Sequence, residues 1–274
     1  MSTTDTKTGE SSYAGGHGQI FVREWSATDP SHVVLLAHGV SEHSGRYDHV
    51  GRALAEAGAA VYAPDHMGHG LSEGEPALVY DVDDLVADLH LLADRAREEH
   101  AGLPIVLLGH SMGGLVAARF VQLYGGELAA VVLSSPPIGG NPDIETALAV
   151  DPLPDIPIDP AVLSRDPEVG RAYVADPLVY SGPFKRTTLE ALFASINTIA
   201  SGPTFGDLPL LWIHGTDDAL APCGLTRPVI ERLGGGDAGV LVYDEGRHEM
   251  FNETNQDEVI GELTRFVGAV AGPR

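Results

Sequence analysis

Short apolar runs alternate with helical patterns along most of this chain, and this alternation limits the folds open to it. Continuous apolar runs bounded by turn residues are typical of strands buried on both faces, as in a parallel sheet. With helices between the strands, the pattern predicts a doubly wound, mostly parallel α/β sheet. An earlier alternating run, Gln19–Trp25, is predicted as an antiparallel edge strand. The apolar runs are Val33–Ala37, Ala60–Ala63, Ile105–Leu108, Ala130–Leu133, Leu208–Ile213 and Val240–Tyr243.

Two segments fall outside this rhythm. Between Leu133 and Leu208 there is no clear strand, although the segment contains Leu, Ile, Val and Phe and a helical pattern at Thr187–Ala200. Because loops of this length are uncommon inside a domain, we interpret residues 138–203 as a cap inserted over the sheet. Residues 17–137 and 204–274 would then form the catalytic core. Residues 1–16 are polar and rich in Ser, Thr and Gly, and are predicted to be a mobile tail.

The composition excludes several classes of function. With 39 acidic and 16 basic residues the formal net charge is −23, which argues against binding nucleic acid and against electrostatic capture by anionic lipid. The single cysteine, Cys223, excludes an intrachain disulfide and a thiolate metal cluster. The N-terminus lacks a secretory-signal pattern, and no apolar run reaches the ~18 residues of a membrane span. The expected location is the cytoplasm.

The segment Leu103–Gly114 reads LPIVLLGHSMGG and contains the motif Gly-x-Ser-x-Gly between a predicted strand and a helix predicted over Met112–Tyr124. In α/β-hydrolases this motif forms a sharp turn that exposes the serine at the carboxyl edge of the sheet. Gly109 and Gly113 provide the space that a strained turn requires. The motif predicts Ser111 as a nucleophile.

A nucleophilic serine requires a histidine base and an acid that orients it, and in such hydrolases the chain order is Ser, then Asp or Glu, then His. Only His214 and His248 lie downstream. His214 ends an apolar strand, whereas His248 lies in a loop before the last helix, so His248 is predicted as the base. For the acid, Gly215-Thr216-Asp217-Asp218 favours Asp218, and Asp217 is the alternative.

An oxyanion hole needs two further donors. The strand Val33–Ala37 leads into His38-Gly39-Val40, so we predict the backbone N–H groups of Val40 and Met112 as these donors. Nearby His66 and His69, with Asp65, have the residue types of metal ligands. Their glycine-rich surroundings favour a surface turn instead. No metal or organic cofactor is predicted.

The chain resembles monoacylglycerol lipases of the α/β-hydrolase superfamily, within a group that includes lysophospholipases and serine aminopeptidases. The resemblance rests on His38–Tyr47 (HGVSEHSGRY), Asp65–Gly74 (DHMGHGLSEG), Gly109–Gly114 (GHSMGG), Ser164–Tyr180 (SRDPEVGRAYVADPLVY) and His248–Glu253 (HEMFNE).

That resemblance implies an eight-stranded core with a helical cap over an apolar acyl channel, and a triad of Ser111, Asp218 and His248. It also implies that Glu42, Arg46 and Tyr173 lie near a polar pocket for the glycerol end of the substrate. Tyr173 is equally consistent with an ordinary packing residue. The chain departs from the family pattern at Val40, where a smaller residue is common, and at Arg247, where an aromatic residue is frequent.

The predicted activity is hydrolysis of monoacylglycerols to glycerol and fatty acid through an acyl-enzyme. Within enzymes, the alternatives are a short-chain carboxylesterase and a lysophospholipase. From another class, the alternative is a non-catalytic binding protein on a hydrolase scaffold. The expected partner is a small lipid ester. At a membrane or micelle, the apolar cap would make a transient peripheral contact, because the net charge opposes anionic lipid.

Overall fold

A computed structural model describes residues 6–155, 158–235 and 238–271. Over these residues the chain forms one eight-stranded sheet in the order β1-β2-β4-β3-β5-β6-β7-β8. In this order, neighbouring strands from β4 to β8 pair in parallel, whereas β2 pairs antiparallel with both of its neighbours, β1 and β4. The predicted doubly wound α/β sheet is therefore confirmed. The strands are β1 Lys7–Ala14, β2 Gln19–Ser26, β3 His32–Ala37, β4 Ala59–Pro64, β5 Ile105–His110, β6 Ala130–Ser134, β7 Leu210–Gly215 and β8 Gly239–Tyr243.

Helices cover both faces of the sheet. They are α1 Asp48–Glu56, α2 Val82–Glu99, α3 Met112–Tyr124, α4 Pro142–Leu148, α5 Pro167–Ala175, α6 Arg186–Ser201, α7 Cys223–Gly234 and α8 Gln256–Ala271. One apolar cluster joins the sheet to α2, α3, α6 and α7, and a second joins the opposite face to α1 and α8. Every residue of the central strands β3, β5 and β6 is buried, as expected for strands covered on both faces.

The N-terminal segment differs from the expectation of a mobile tail over residues 1–16. Lys7–Ala14 forms β1, paired along its whole length with β2, while residues 1–5 lie outside the described residues. Gln19–Ser26 is antiparallel as predicted, but it is the second strand and not the edge strand. Because β1 is held by backbone hydrogen bonds and exposes most of its polar side chains, no hydrophobic pattern indicates it.

The helices α4, α5 and α6 lie between β6 and β7, in a segment that we call the insertion (residues 135–209). The predicted helix at Thr187–Ala200 is present as α6, whose Leu192, Ile196 and Ile199 join the core beside α3. The Pro-rich part before it contains α4, which is capped by the side chain of Asn141. The Asn141 side-chain amide also donates to two backbone carbonyls after β7, those of residues 219 and 220. The insertion is thus fastened to the carboxyl edge of the sheet.

Within the described ranges, no helix is both long enough and apolar enough to cross a membrane.

Candidate active site

Ser111 lies on a strained turn between β5 and α3. Its backbone has φ 53° and ψ −119°, a conformation that few residues other than glycine adopt. A Cβ at Gly109 would collide with the carbonyl of Gly113, and a Cβ at Gly113 would collide with the carbonyl of Ala37. The two glycines of the motif are therefore required by close backbone approach, and the turn places Ser111 at the carboxyl edge of the sheet.

The structure brings His248 to Asp218 rather than to Asp217. His248 Nδ1 lies 2.8 Å from Asp218 Oδ2, and the other carboxylate oxygen accepts hydrogen bonds from the N–H groups of Leu220 and Ala221. The Asp218 side chain is fully buried. Asp217 is exposed, and its N–H donates to the carbonyl of Gly246, so it braces the turn.

The electrostatics of this pair suit a base and its orienting acid. Burial disfavours the imidazolium form of His248, but the charge and hydrogen bond of Asp218 outweigh burial and raise the pKa of His248. Burial likewise works against the Asp218 carboxylate, yet the partnership with His248 lowers the pKa of Asp218. Both shifts stabilise a histidine that takes up a proton beside an ionised aspartate.

His214, the other downstream histidine, serves a different purpose. Trp212 Nε1 donates to its Nδ1, and its Nε2 lies 2.6 Å from the carbonyl of Ala221. Because Nδ1 accepts, the proton is on Nε2 and the ring is neutral. Burial lowers the pKa of His214, in agreement with this state. Its Nε2 is also 3.4 Å from Asp218 Oδ2, so His214 packs against the acid.

The two predicted oxyanion donors belong to segments next to Ser111. A Cβ at Gly39 would lie 3.2 Å from Ser111 Cβ, so the loop after β3 touches the nucleophile, and Val40 lines the same cavity. Met112 is the first residue of α3, where a backbone N–H has no acceptor within its own helix. The N–H groups of Val40 and Met112 stay the predicted oxyanion donors.

Ser111 and His248 open onto a cavity that is partly open to solvent. Its apolar wall comes largely from the insertion, and its polar end comes from the loops after β3 and β8. Such a cavity suits a substrate with an apolar tail and a polar head. The apolar wall includes Val40, Pro137, Ile144, Ile158, Leu163, Phe184, Leu189, Leu192 and Leu220.

The polar end is a buried ionic network. Glu42 accepts hydrogen bonds from the N–H of Gly39, the hydroxyl of Tyr47 and Nη1 of Arg46, each at 2.7 Å. The Arg46 guanidinium stacks over the Tyr173 ring, 4.9 Å from its centroid. Glu42 and Tyr173 line the cavity, whereas Arg46 lies behind them and outside its lining. Glu42 thereby holds the loop after β3 in place and also faces the cavity.

Glu249, which sequence reasoning missed, completes the network. It lines the cavity beside His248 and forms a two-point contact with Arg46, at 2.7 Å from Nη1 and 2.7 Å from Nη2. The only sequence signal was its position directly after the predicted base. The partners Arg46 and Glu249 are 203 positions apart in the chain, so only the fold brings them together.

The loop that carries His248 is tied to the insertion. The N–H of Glu249 donates to the carbonyl of Leu163 at 2.7 Å. Arg247 donates to two backbone carbonyls of the insertion, those of residues 161 and 164. The buried carboxylate of Glu253 accepts from the backbone N–H of Arg247 and from two N–H groups of Arg165. Arg247 thus anchors the loop that carries His248 to the insertion.

A cluster of buried histidines lies next to the loop after β3. His38 Nε2 accepts from the N–H of His66, and the two rings are 4.5 Å apart. The Asp65 carboxylate accepts hydrogen bonds from Arg23, Ser44 and Leu71. Among the described residues, no group of three or more His, Cys, Asp or Glu side chains is arranged to hold a metal ion. Burial lowers the pKa of His66, and that of His110 beside His248, to about 3 in each case.

These histidines make stability depend on pH. An unfolded histidine has a pKa of about 6.5, so between about pH 3 and pH 6.5 each of these two histidines binds a proton in the unfolded chain but not in the folded chain. The stability that each of them contributes is therefore fully present above about pH 6.5 and is lost as pH decreases. We expect His66 alone to lower the free energy of unfolding by about 2 kcal/mol between about pH 7 and pH 5.

Urea unfolding at the two pH values of the wild type and His66→Asn measures this contribution. The variant should lose less stability on acidification, by about 2 kcal/mol. The control is His17→Asn, at a side chain that is 65% exposed. An equal acid-induced loss in wild type and His66→Asn would contradict the prediction.

Comparison with known proteins agrees with this geometry. The family model described as serine aminopeptidase, S33 matches residues 28–255. The monoacylglycerol lipase of Mycolicibacterium smegmatis is 38% identical over 94% of this chain and 96% of its own length. Human monoglyceride lipase is 32% identical over 90% of this chain and 86% of its own. The crystal structure of Paleococcus ferrophilus monoacylglycerol lipase superposes with a TM-score of 0.75 at 25% identity, covering 96% of this chain and 99% of that one.

Proposed function

Because this chain belongs to the serine aminopeptidase S33 family of α/β-hydrolases, and within it to the monoacylglycerol lipases, we propose that it hydrolyses monoacylglycerols to glycerol and free fatty acid. One observation carries the proposal. The strained Ser111 and His248, which is paired with Asp218, line one cavity that is apolar along its insertion wall and polar at its other end. A neutral amphipathic ester fits that division, with the acyl chain on the apolar wall.

The proposed reaction proceeds in two steps. His248 Nε2 takes the proton of Ser111 Oγ as that oxygen attacks the ester carbonyl, and the N–H groups of Val40 and Met112 stabilise the oxyanion. Collapse of the tetrahedral intermediate breaks the bond to the glycerol oxygen, which receives the proton from His248. Water then attacks the acyl-enzyme with His248 as base, releasing fatty acid and regenerating Ser111. Throughout, Asp218 holds the His248 tautomer.

Glu42, Arg46 and Tyr173 are proposed to form the glycerol end of the site. Glu42 and Tyr173 face the cavity and offer a carboxylate and a phenol to glycerol hydroxyls. Burial and the charge of Glu42 raise the pKa of Tyr173, so its hydroxyl is a neutral donor. Arg46 does not line the cavity and acts indirectly, because its hydrogen bond holds the Glu42 carboxylate in place.

The division into core and cap also belongs to the proposal. Residues 138–203 would act as the cap, and residues 17–137 and 204–274, with β1 added, as the core. The protein would be cytoplasmic and would contact lipid surfaces peripherally. Val150 and Val174, which are 49% and 65% exposed on the insertion, would make that contact, because a net charge of −23 opposes attraction to anionic lipid.

A substrate series tests the activity. We expect octanoylglycerol to exceed methyl octanoate in kcat/KM by about 10-fold, because polar groups at the head end are left unpaired by a methyl ester. From butyryl- to lauroylglycerol, kcat/KM should rise as each methylene buried on the apolar wall contributes about 0.8 kcal/mol. Cleavage of short esters without cleavage of monoacylglycerols would favour the carboxylesterase alternative and end the proposal.

A further inference from the structure

Glu249 places a second negative charge at the polar end of the cavity. The residue is 5% exposed, directly follows His248 in the chain and lines the cavity with it. Its two carboxylate oxygens face the two Nη atoms of Arg46, the geometry of a two-point ion pair. The carboxylate is thus held in one orientation beside the reacting centre.

The charges in this network do not balance. Glu42 and Glu249 are both carboxylates, and both pair with the single guanidinium of Arg46. The Nη atoms of Arg46 are engaged by these carboxylates, and one face of the guanidinium is covered by Tyr173. Arg46 is therefore not presented as a clamp for an anion, and the network carries one net negative charge.

Resting on the monoacylglycerol lipase activity proposed above, we propose that Glu249 restricts the enzyme to esters with an uncharged head group. A phosphate-bearing head in the same position would lose water and approach two carboxylates. At a low effective dielectric constant, one extra negative charge within roughly 5–8 Å disfavours such a head by about 10- to 100-fold. The site thereby discriminates against anionic lysophospholipids.

Octanoylglycerol and octanoylglycerol phosphate form a matched pair, since they share the acyl chain and the ester and differ in the charge of the head. Both are used as monomers below their critical micelle concentration. We expect wild type to prefer the neutral ester, and Glu249→Gln to raise the ratio of kcat/KM for the phosphate ester over the neutral ester by about 10-fold. The ratio cancels any general loss of activity in the variant.

The control is Glu245→Gln, which removes the same charge from the same loop at a side chain that is 76% exposed, and which should leave the ratio unchanged. Should Glu249→Gln fail to fold, Glu249→Met removes the same charge with a side chain of similar length, and the same rise in the ratio is expected. A ratio that changes less than about twofold in the folded Glu249 variant, or an equal rise in Glu245→Gln, would overturn the inference. Failure of wild type to cleave octanoylglycerol would instead reject the proposed function.

Discussion

Alanine at position 111 is expected to lower kcat for monoacylglycerol hydrolysis by about 10⁵- to 10⁶-fold. Ser111 Oγ, on the strained turn, is the atom that would form the acyl-enzyme. The measurement is kcat with octanoylglycerol, together with labelling by a fluorophosphonate. Wild type should be labelled at Ser111, and Ser111→Ala should not be labelled. Such labelling also separates an enzyme from a non-catalytic binding protein on this scaffold.

A suitable control is Ser135→Ala, just beyond β6. Ser135 is buried, its Oγ has no hydrogen-bond partner among the residues that the structure describes, and it is outside the cavity lining. This variant should keep activity within about twofold, since the hydroxyl that it removes makes no hydrogen bond in the described part of the chain and does not line the cavity. Turnover by a folded Ser111→Ala protein, judged by an unchanged thermal transition, would end the proposed mechanism.

Asparagine at position 218 is expected to lower kcat by about 10⁴-fold, whereas asparagine at position 217 should leave it within about twofold. The N–H groups of Leu220 and Ala221 require an acceptor, so in Asp218→Asn the new amide oxygen would face them and the amide nitrogen would face His248. His248 Nδ1 would then have to accept. The proton would move to Nε2, and the ring could no longer act as a base toward Ser111.

The pH profile adds a second readout for Asp218→Asn. Asp218 raises the pKa of His248 in the wild type, and only the neutral ring is a base. Removing the negative charge lowers that pKa, so the acidic limb of the kcat/KM profile should move to lower pH. Full activity in Asp218→Asn, or a large loss in Asp217→Asn, would reverse the assignment of the acid.

Short-range sterics explain why the strained turn at Ser111 could be predicted from the sequence. The motif around Ser111 combines a β5 strand pattern, two glycines and a helix start, all within a few residues. The strands β3, β5 and β6 were equally predictable, because burial on both faces requires an unbroken apolar run. The helix α3 begins and ends where the sequence pattern predicted.

Other features depend on partners that are far apart in the chain. The polar strand β1 was predicted as a tail, because its stability comes from backbone pairing with β2. Glu249 was missed because its partner Arg46 comes from the opposite end of the chain. Neither feature has a local signature, since hydrogen bonds and ion pairs of this kind depend on where the fold places two segments.

Local sterics, hydrophobic periodicity and the order of the triad residues along the chain were enough to predict the sheet, the position of the strained turn at Ser111 and the histidine that serves as base candidate. The choice between Asp217 and Asp218 needed the folded chain, because these neighbours differ by one position but face opposite ways, one toward solvent and one into the protein. The pairing of Arg46 with both Glu42 and Glu249 likewise exists only after folding. The charge at the polar end of the cavity is a property of that pairing and therefore of the fold.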